Sequence, residues 1–233
     1  MAFQPASVNS RGYQGFADRR DAGRELAIRL KAYGGRPDVV VLALPRGGVP
    51  VAYEVADALD APLDIFVVRK LGMPGHPEFA MGAIASGGVR VLSDAVIRAY
   101  GITELQIDAV ARQELAELRR REQEYRQNRA LVDLQRRTVI LVDDGLATGS
   151  TMRAAVQAIR SYAPARVVVA VPVGARTTCD ELADIADETV CALMPEPFSA
   201  VGLWYRDFSE TTDGEVRALL EQHARRTRST VHE

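Results

Sequence analysis

Short runs of β-branched residues alternate along this chain with longer segments of helical periodicity, and this alternation limits the possible folds more than any other feature. Continuous apolar runs are typical of strands that are buried on both faces. Their alternation with helices predicts an α/β fold with a parallel sheet covered on both sides. The predicted strands are 39–44, 63–68, 138–142, 166–171 and 189–193, and the predicted helices are 18–33, 50–59, 150–162 and 178–186.

Residues 79–131 interrupt the alternation and are predicted to form an insertion. The insertion begins at 79–92 with the pattern of a β-hairpin, in which Gly87 and Gly88 suit a two-residue turn. It continues with a long, highly charged helical pattern at 103–128.

The predicted long helix starts with a capping box formed by Thr103 and Gln106. Its apolar stripe is thin and is suited to dock either on the main domain or on a second subunit. Three consecutive arginines at 119–121 are interleaved with glutamates along the helix, so we expect a solvated face rather than a nucleic-acid site.

Composition limits the partners and the cellular compartment that can be expected for this chain. Apolar residues make up 47% of its 233 residues, and the formal net charge of −2 gives no field that attracts nucleic acid or anionic lipid. Two cysteines are too few for a disulfide framework. Residues 1–10 lack a signal-peptide pattern, and no apolar run approaches the roughly 20 residues that cross a bilayer. We therefore expect residues 1–233 to form one cytoplasmic domain without a membrane partner.

A buried strand, two adjacent carboxylates and a hydroxyl-rich turn that opens a helix follow one another at 139–151. A helix N-terminus offers N–H groups without intrahelical partners and the positive end of the helix dipole, which together bind an anion. Glycines allow close approach of the backbone, and hydroxyls add donors. The sequence therefore predicts a phosphate site formed by Gly145, Ala147, Thr148, Gly149, Ser150 and Thr151.

Asp143 and Asp144 need a separate explanation, because carboxylates beside a phosphate site repel the ligand. They suit a ligand that also presents hydroxyls or a magnesium ion, as a ribose 5-phosphate does. A plainer alternative is that the two acids end a strand and Ser150 caps a helix. The stretch resembles the 5-phosphoribosyl-1-pyrophosphate (PRPP) motif of type I phosphoribosyltransferases. This resemblance implies a type I phosphoribosyltransferase fold in which both aspartates bind the ribose and act in catalysis.

A second glycine-containing loop follows the first predicted strand at 45–50. Its Gly47 and Gly48 allow backbone N–H groups to face an anion, and Arg46 can add a charged donor. The loop resembles the pyrophosphate loop of the family, which often contains an unusual cis peptide. A simple strand-to-helix turn is the alternative.

Arg69 and Lys70 follow the second predicted strand, where orotate- and adenine-type members have basic residues that meet the pyrophosphate. The resemblance implies a catalytic role for them. Neighbouring residues on a strand point to opposite faces, so we expect only one of the two to reach the ligand. The glycine- and proline-containing segment 71–77 is expected to start a lid.

Residues 194–210 are the candidate hood over the acceptor. Phe198, Trp204 and Tyr205 are suited to stack a planar base, and Asp207 is suited to bond to its edge. Core packing or a subunit contact explains these aromatic residues equally well. Ala147 stands where 6-oxopurine enzymes have an acid, which argues against an acceptor of that type.

The resemblance implies transfer of a phosphoribosyl group from magnesium–PRPP to an unidentified nitrogenous base, with release of pyrophosphate. Magnesium is expected to bind mainly through PRPP oxygens and water, since no dedicated metal-ligand cluster is visible in the sequence. A homodimer is expected from the resemblance alone. The first alternative is a regulatory protein that senses PRPP without turnover, and a second is hydrolysis or transfer on another phosphorylated sugar.

Overall fold

The computed structural model describes residues 15–127 and 129–230. The described residues form eight strands: β1 (Val39–Ala43), β2 (Leu63–Ile65), β3 (Val68–Met73), β4 (His76–Ala85), β5 (Val89–Leu92), β6 (Thr138–Val142), β7 (Arg166–Val173) and β8 (Glu188–Leu193). They also form seven α-helices: α1 (Arg19–Arg29), α2 (Gly48–Leu59), α3 (Asp94–Tyr100), α4 (Glu104–Arg126), α5 (Ser150–Arg160), α6 (Arg176–Ala183) and α7 (Asp213–Thr230).

A five-stranded parallel sheet in the order β2-β1-β6-β7-β8 forms the centre of the fold. Every residue of β1 and β6 is buried, as their unbroken apolar runs require. Val39 and Val41 face a core that includes residues of α1, α2, α4 and α7, while Val40 and Leu42 face a core with residues of α5 and α6. The predicted α/β fold with a parallel sheet is confirmed.

The chain leaves this sheet at Phe66 and enters a separate antiparallel sheet in the order β3-β4-β5. The corner is held by buried Ser86, whose hydroxyl accepts a hydrogen bond from Val67 N at 2.9 Å and whose own N–H donates to Val67 O at 2.8 Å. The predicted strand 63–68 is therefore wrong in extent, because β2 stops at Ile65 and Val68 already belongs to β3.

The predicted hairpin at 79–92 is confirmed as β4 and β5. Gly87 and Gly88 lie in its turn with φ of 77° and 80°, a conformation that glycine adopts without strain. Residues 71–77, where a lid is expected to start, continue β3, turn at Gly75 and begin β4, and the lid stays a prediction. Gly72 lies so close to the backbone of Pro77 that a Cβ would stand 2.6 Å from its carbonyl oxygen.

The predicted long helix is confirmed as α4, and its capping box between Thr103 and Gln106 forms. Asn128, the last residue of the prediction, lies outside the described residues. Buried Leu118 and Tyr125 dock the helix on the main body, where buried Arg126 pairs with Asp64 at 2.9 Å. The arginine run is mostly exposed and paired with glutamates of the same helix, as expected of a solvated face.

Two helices, α3 and α7, have no counterpart in the sequence-based prediction. Helix α7 packs on α2 and α4, where it contributes Val216 and Leu220 to the core. Within 15–127 and 129–230, no helix is both long and apolar enough to span a membrane. The predictions for residues 1–10 concern a segment outside the described residues.

Candidate active site

The acid pair lies directly after β6, at the carboxyl end of the parallel sheet. Asp144 N donates to Asp143 Oδ1 at 2.8 Å, which fixes the two acids relative to each other. Arg19, the first residue of α1, donates from Nε to Asp144 Oδ2 at 2.8 Å, and their side chains are only 12% and 17% exposed. The pair is therefore partly neutralised by a residue far away in sequence.

In the free protein, a negative charge on either aspartate is energetically unfavourable. Burial and, secondarily, the charge of Asp144 raise the pKa of Asp143 well above its ordinary value. Burial also raises the pKa of Asp144, although the guanidinium of Arg19 opposes that shift. A ligand that brings hydroxyl donors or a cation to this pair relieves an existing electrostatic cost.

The predicted phosphate loop continues from the acids into the N-terminus of α5. Gly149 caps the helix with φ of 68°, and Thr148, Ser150 and Thr151 are exposed. Thr148 and Ser150 hydroxyls are 3.1 Å apart. By helix geometry, the first N–H groups of α5 have no intrahelical acceptor, so the turn presents both hydroxyls and amides to an anion.

Two outer residues hold this loop in place. Thr178 Oγ1 on α6 donates to the carbonyl oxygen of Ala147 at 2.7 Å, and Arg153 donates to the carbonyl oxygen of Thr148. Gly145 packs so tightly under the hood that a Cβ would stand 2.5 Å from a methyl group of Val201. The loop is thus braced from both sides.

The glycine loop after β1 lies against the acid pair. A Cβ on Gly47 would stand 2.7 Å from Asp144 Cγ, and one on Gly48 would stand 2.7 Å from Val142 O and 3.0 Å from Asp143 Cα. The peptide bond between Pro45 and Arg46 is cis, as the resemblance implies. Only glycine allows the two loops to approach this closely.

The three basic residues that the sequence predicts for pyrophosphate binding point in different directions. The Arg46 guanidinium pairs with Glu210, and its Nη1 lies 3.9 Å from Asp213 Oδ1. Arg69 points to α4, where Nη2 lies 2.7 Å from Glu114 Oε2. Lys70 points the other way, into a cleft of about 850 Å³ that it shares with Ser150 and Thr151. Of the two neighbours on β3, Lys70 is therefore the one on the side of the phosphate loop.

The candidate hood packs over the acid pair. Tyr205 is 5% exposed, and its hydroxyl donates to the carbonyl oxygen of Asp144 at 2.5 Å. Phe198 and Trp204 are half-buried in a cluster with Phe16. Asp207 is exposed and accepts a hydrogen bond from Ser209 N at 2.9 Å, which lowers its pKa.

A sequence model of the phosphoribosyl transferase domain matches residues 17–198 of this chain. The chain belongs to the phosphoribosyl transferase domain family. Its parallel five-stranded sheet with an added antiparallel sheet matches the type I phosphoribosyltransferase fold. The match covers both glycine-containing loops and the acid pair.

Three relatives support this assignment. Two Mycobacterium tuberculosis proteins, whose names provisionally call them phosphoribosyl transferases, are 51% identical over 207 residues. The alignment covers 89% of this chain and 46% of each relative, so the chain spans about half their length. The crystal structure of TT1426 from Thermus thermophilus superposes with a TM-score of 0.80 at 44% identity, covering 89% of this chain and 98% of that one.

Two residues of this phosphoribosyl transferase domain escaped the sequence-based prediction. Arg19 contacts Asp144 from 125 positions away, and its Cζ lies 4.0 Å from the ring centre of Phe208. Thr178 braces the phosphate loop from α6. Neither Arg19 nor Thr178 belongs to a local motif, so only tertiary packing reveals them.

The oxygen donors at the acid pair fit the magnesium ion that the family implies. Magnesium prefers oxygen ligands, and the pair supplies carboxylates whose charge is costly without a cation. Among residues 15–127 and 129–230, no group of three or more His, Cys, Asp or Glu side chains forms a metal site.

Proposed function

We propose that this chain uses magnesium–PRPP to transfer a phosphoribosyl group to a nitrogenous base, with release of pyrophosphate. One observation supports the proposal above the others. The glycine loop after β1 and the phosphate loop after β6 meet at the same two carboxylates, with Gly47 and Gly48 in contact with Asp144 and Asp143. A sugar with a phosphate at one end and a pyrophosphate at the other matches this arrangement.

In the proposed complex, the 5′-phosphate lies at the N-terminus of α5, where Thr148, Ser150 and Thr151 add hydroxyls. Asp143 and Asp144 accept hydrogen bonds from the ribose 2′ and 3′ hydroxyls. Arg19 already holds Oδ2 of Asp144, so it fixes the orientation of that carboxylate toward the sugar. Arg19 is thereby a positioning residue for ribose binding.

The pyrophosphate lies against the backbone of Gly47 and Gly48. Lys70 faces the cleft beside the phosphate loop and supplies a positive charge for the ligand. Arg69 is turned toward Glu114, so its proposed role is to hold the antiparallel sheet on α4 rather than to contact the ligand. Arg46 reaches the pyrophosphate only if it leaves Glu210.

Positive charge develops on the ribose when the bond to pyrophosphate breaks, and preorganised negative charge stabilises it. Asp143 and Asp144 provide that charge in a setting of low exposure, where electrostatic interactions are stronger than in water. Magnesium, when bound, neutralises the departing pyrophosphate. The acceptor base is assigned to the hood side, where Asp207 is exposed.

The test is pyrophosphate release from PRPP and magnesium with a panel of purine, pyrimidine and other nitrogenous bases. Release that requires one base supports the transferase and names its acceptor. Release must fall in Asp144→Asn and persist in Asp184→Asn, an exposed aspartate at the end of α6. PRPP binding without release on any base would instead support the sensor without turnover.

The homodimer and the cytoplasmic location stay predictions, as does the organisation of residues 1–233 as one domain. Light scattering of the purified chain at several concentrations measures the oligomeric state. A molecular mass of one chain at all concentrations would contradict the dimer.

A further inference from the structure

Cys179 on α6 and Cys191 on β8 bring their sulfur atoms together near Gly174. Both thiols are free, and the two Sγ atoms lie 2.8 Å and 3.3 Å from the point where a Cβ on Gly174 would stand. The Cys191 thiol donates to Leu193 O at 3.2 Å and also lies within hydrogen-bond reach of the Cys179 sulfur. Two sulfur atoms this close meet the first condition for a disulfide.

The pair is reachable by a small oxidant. Cys179 is 3% exposed and Cys191 is half-buried, but both line a cavity of about 300 Å³ whose wall includes Arg29. A water-sized molecule occupies roughly 30 Å³, so it fits this cavity. The hydrogen bond from Cys191 lowers the pKa of Cys179, which makes Cys179 the thiol that ionises first.

Cys179 is also joined to the phosphate loop through its neighbour. Thr178 donates to Ala147 O at 2.7 Å, and a Cβ on Gly149 would stand 2.6 Å from Thr178 Cγ2. Thr178, the residue next to Cys179, is therefore in direct contact with the phosphate loop.

We propose that Cys179 and Cys191 are an oxidation site for hydroperoxides such as hydrogen peroxide, at which a reversible disulfide joins α6 to β8. The Cys179 thiolate attacks one peroxide oxygen, the O–O bond breaks, and hydroxide leaves while Cys179 becomes a sulfenic acid. The Cys191 sulfur then attacks the sulfenic sulfur, and the hydroxyl leaves with the Cys191 proton as water. Two thiols lose two hydrogens and two electrons, and one hydrogen peroxide becomes two waters.

The disulfide weakens the contact of Thr178 with the phosphate loop and thus lowers PRPP affinity. This consequence rests on the proposed function, whereas disulfide formation does not. We expect affinity to fall by at most about fivefold, the value for complete loss of this hydrogen bond, and to recover on reduction.

The experiment treats the reduced full chain with hydrogen peroxide and counts free thiols under denaturing conditions, with intact mass as the second readout. The proposal requires loss of both thiols and of two hydrogens within one chain, with reversal by dithiothreitol. Retention of both thiols, stable addition of oxygen, or a cross-link between chains would overturn it. Cys191→Ser is the control and must give no product that has lost two hydrogens, because Cys179 then stops at the sulfenic acid, which is one oxygen heavier.

Calorimetric titration of PRPP into reduced, oxidised and re-reduced protein then tests the effect on the loop. Equal affinity in all three would overturn the link through Thr178. Absence of PRPP binding in all three would count against the proposed function, while the thiol count would still decide the disulfide.

Discussion

The phosphate loop and the antiparallel sheet line the same cleft, but they are assembled in different ways. Residues 145–151 form one contiguous turn between a buried strand and the helix that follows it. The antiparallel sheet brings Lys70 on β3, Glu78 on β4 and Leu92 on β5 to the cleft through cross-strand pairing. The first region depends on local sequence, and the second depends on which strands pair.

This difference separates two kinds of functional residue. Residues of the local turn keep their place as long as β6 and α5 form. Residues of the antiparallel sheet point toward or away from the cleft according to strand register, as Lys70 and Arg69 do. We therefore expect substitutions in the first region to change ligand affinity most, and substitutions in the second to divide between affinity and stability.

The largest effect is expected at the acid pair. Asp144→Asn removes one carboxylate that holds the ribose and leaves Arg19 without its partner. PRPP affinity should fall about 10- to 100-fold, the range for loss of a hydrogen bond to a charged group. Calorimetry measures the loss, and Asp184→Asn is the control, since that side chain is exposed. If the two variants bound PRPP with the same affinity, the acid pair would not be part of the PRPP site.

The contact between the two loops can be broken at either glycine. In Gly48→Ala the new methyl group meets backbone atoms of Val142 and Asp143, so the free energy of unfolding should fall by about 1–3 kcal/mol. In Gly47→Ala it meets the Asp144 side chain, which can rotate, so affinity should fall more than stability. Urea unfolding measures the loss of stability and so separates it from the loss of PRPP affinity. In the control, Gly214→Ala, the nearest atom is 3.8 Å away. A Gly48→Ala protein as stable as that control would contradict the tight approach.

The two faces of β3 give the sharpest test of the antiparallel sheet. Lys70→Ala should weaken PRPP binding about tenfold, because it removes a charged donor from the cleft, and the loss should shrink at high salt. Arg69→Ala should leave affinity unchanged and lower stability by less than about 1 kcal/mol, since its ion pair with Glu114 is partly exposed. Reversed results would place Arg69 on the ligand side.

Much of the first region could be predicted from sequence, because a strand, an acid pair and a turn that opens a helix are consecutive in the chain. The Gly47–Gly48 loop could be predicted for the same reason, because it directly follows a strand and opens a helix. The path of residues 66–77 could not be predicted in this way. The corner at Val67 depends on hydrogen bonds with Ser86, and the turn at Gly75 depends on the pairing of β3 with β4. Arg19 and Thr178 were missed because each acts on the site from another helix.

A smaller effect on PRPP affinity is expected at Thr178, which braces the phosphate loop from α6. Thr178→Val keeps the shape of the side chain but removes its hydrogen bond to Ala147 O, which should weaken PRPP binding about fivefold. Thr177→Val is the matched control, because that neighbour is exposed. Identical affinities, measured by calorimetry, would show that the brace does not influence the loop.

The last expected effect, on stability and not on affinity, is a pH-dependent gain in Asp143→Asn. A carboxyl whose pKa is raised by folding binds its proton more tightly in the folded state, so stability falls as pH rises from the ordinary value of 3.8 through the raised pKa. The wild type should therefore unfold more easily than Asp143→Asn at neutral pH. The difference should vanish in acid. A variant that is less stable at neutral pH would contradict the raised pKa.

In the proposed complex, two loops from neighbouring parallel strands hold one PRPP molecule across the acid pair. Hydrogen–deuterium exchange with and without magnesium–PRPP tests it most directly, because it reports on both loops in one experiment. Amides of 46–49 and 145–151 should become protected together, at the same PRPP concentration, and Asp144→Asn should shift both effects to a PRPP concentration about 10- to 100-fold higher. Protection of only one loop, or of neither, would contradict it.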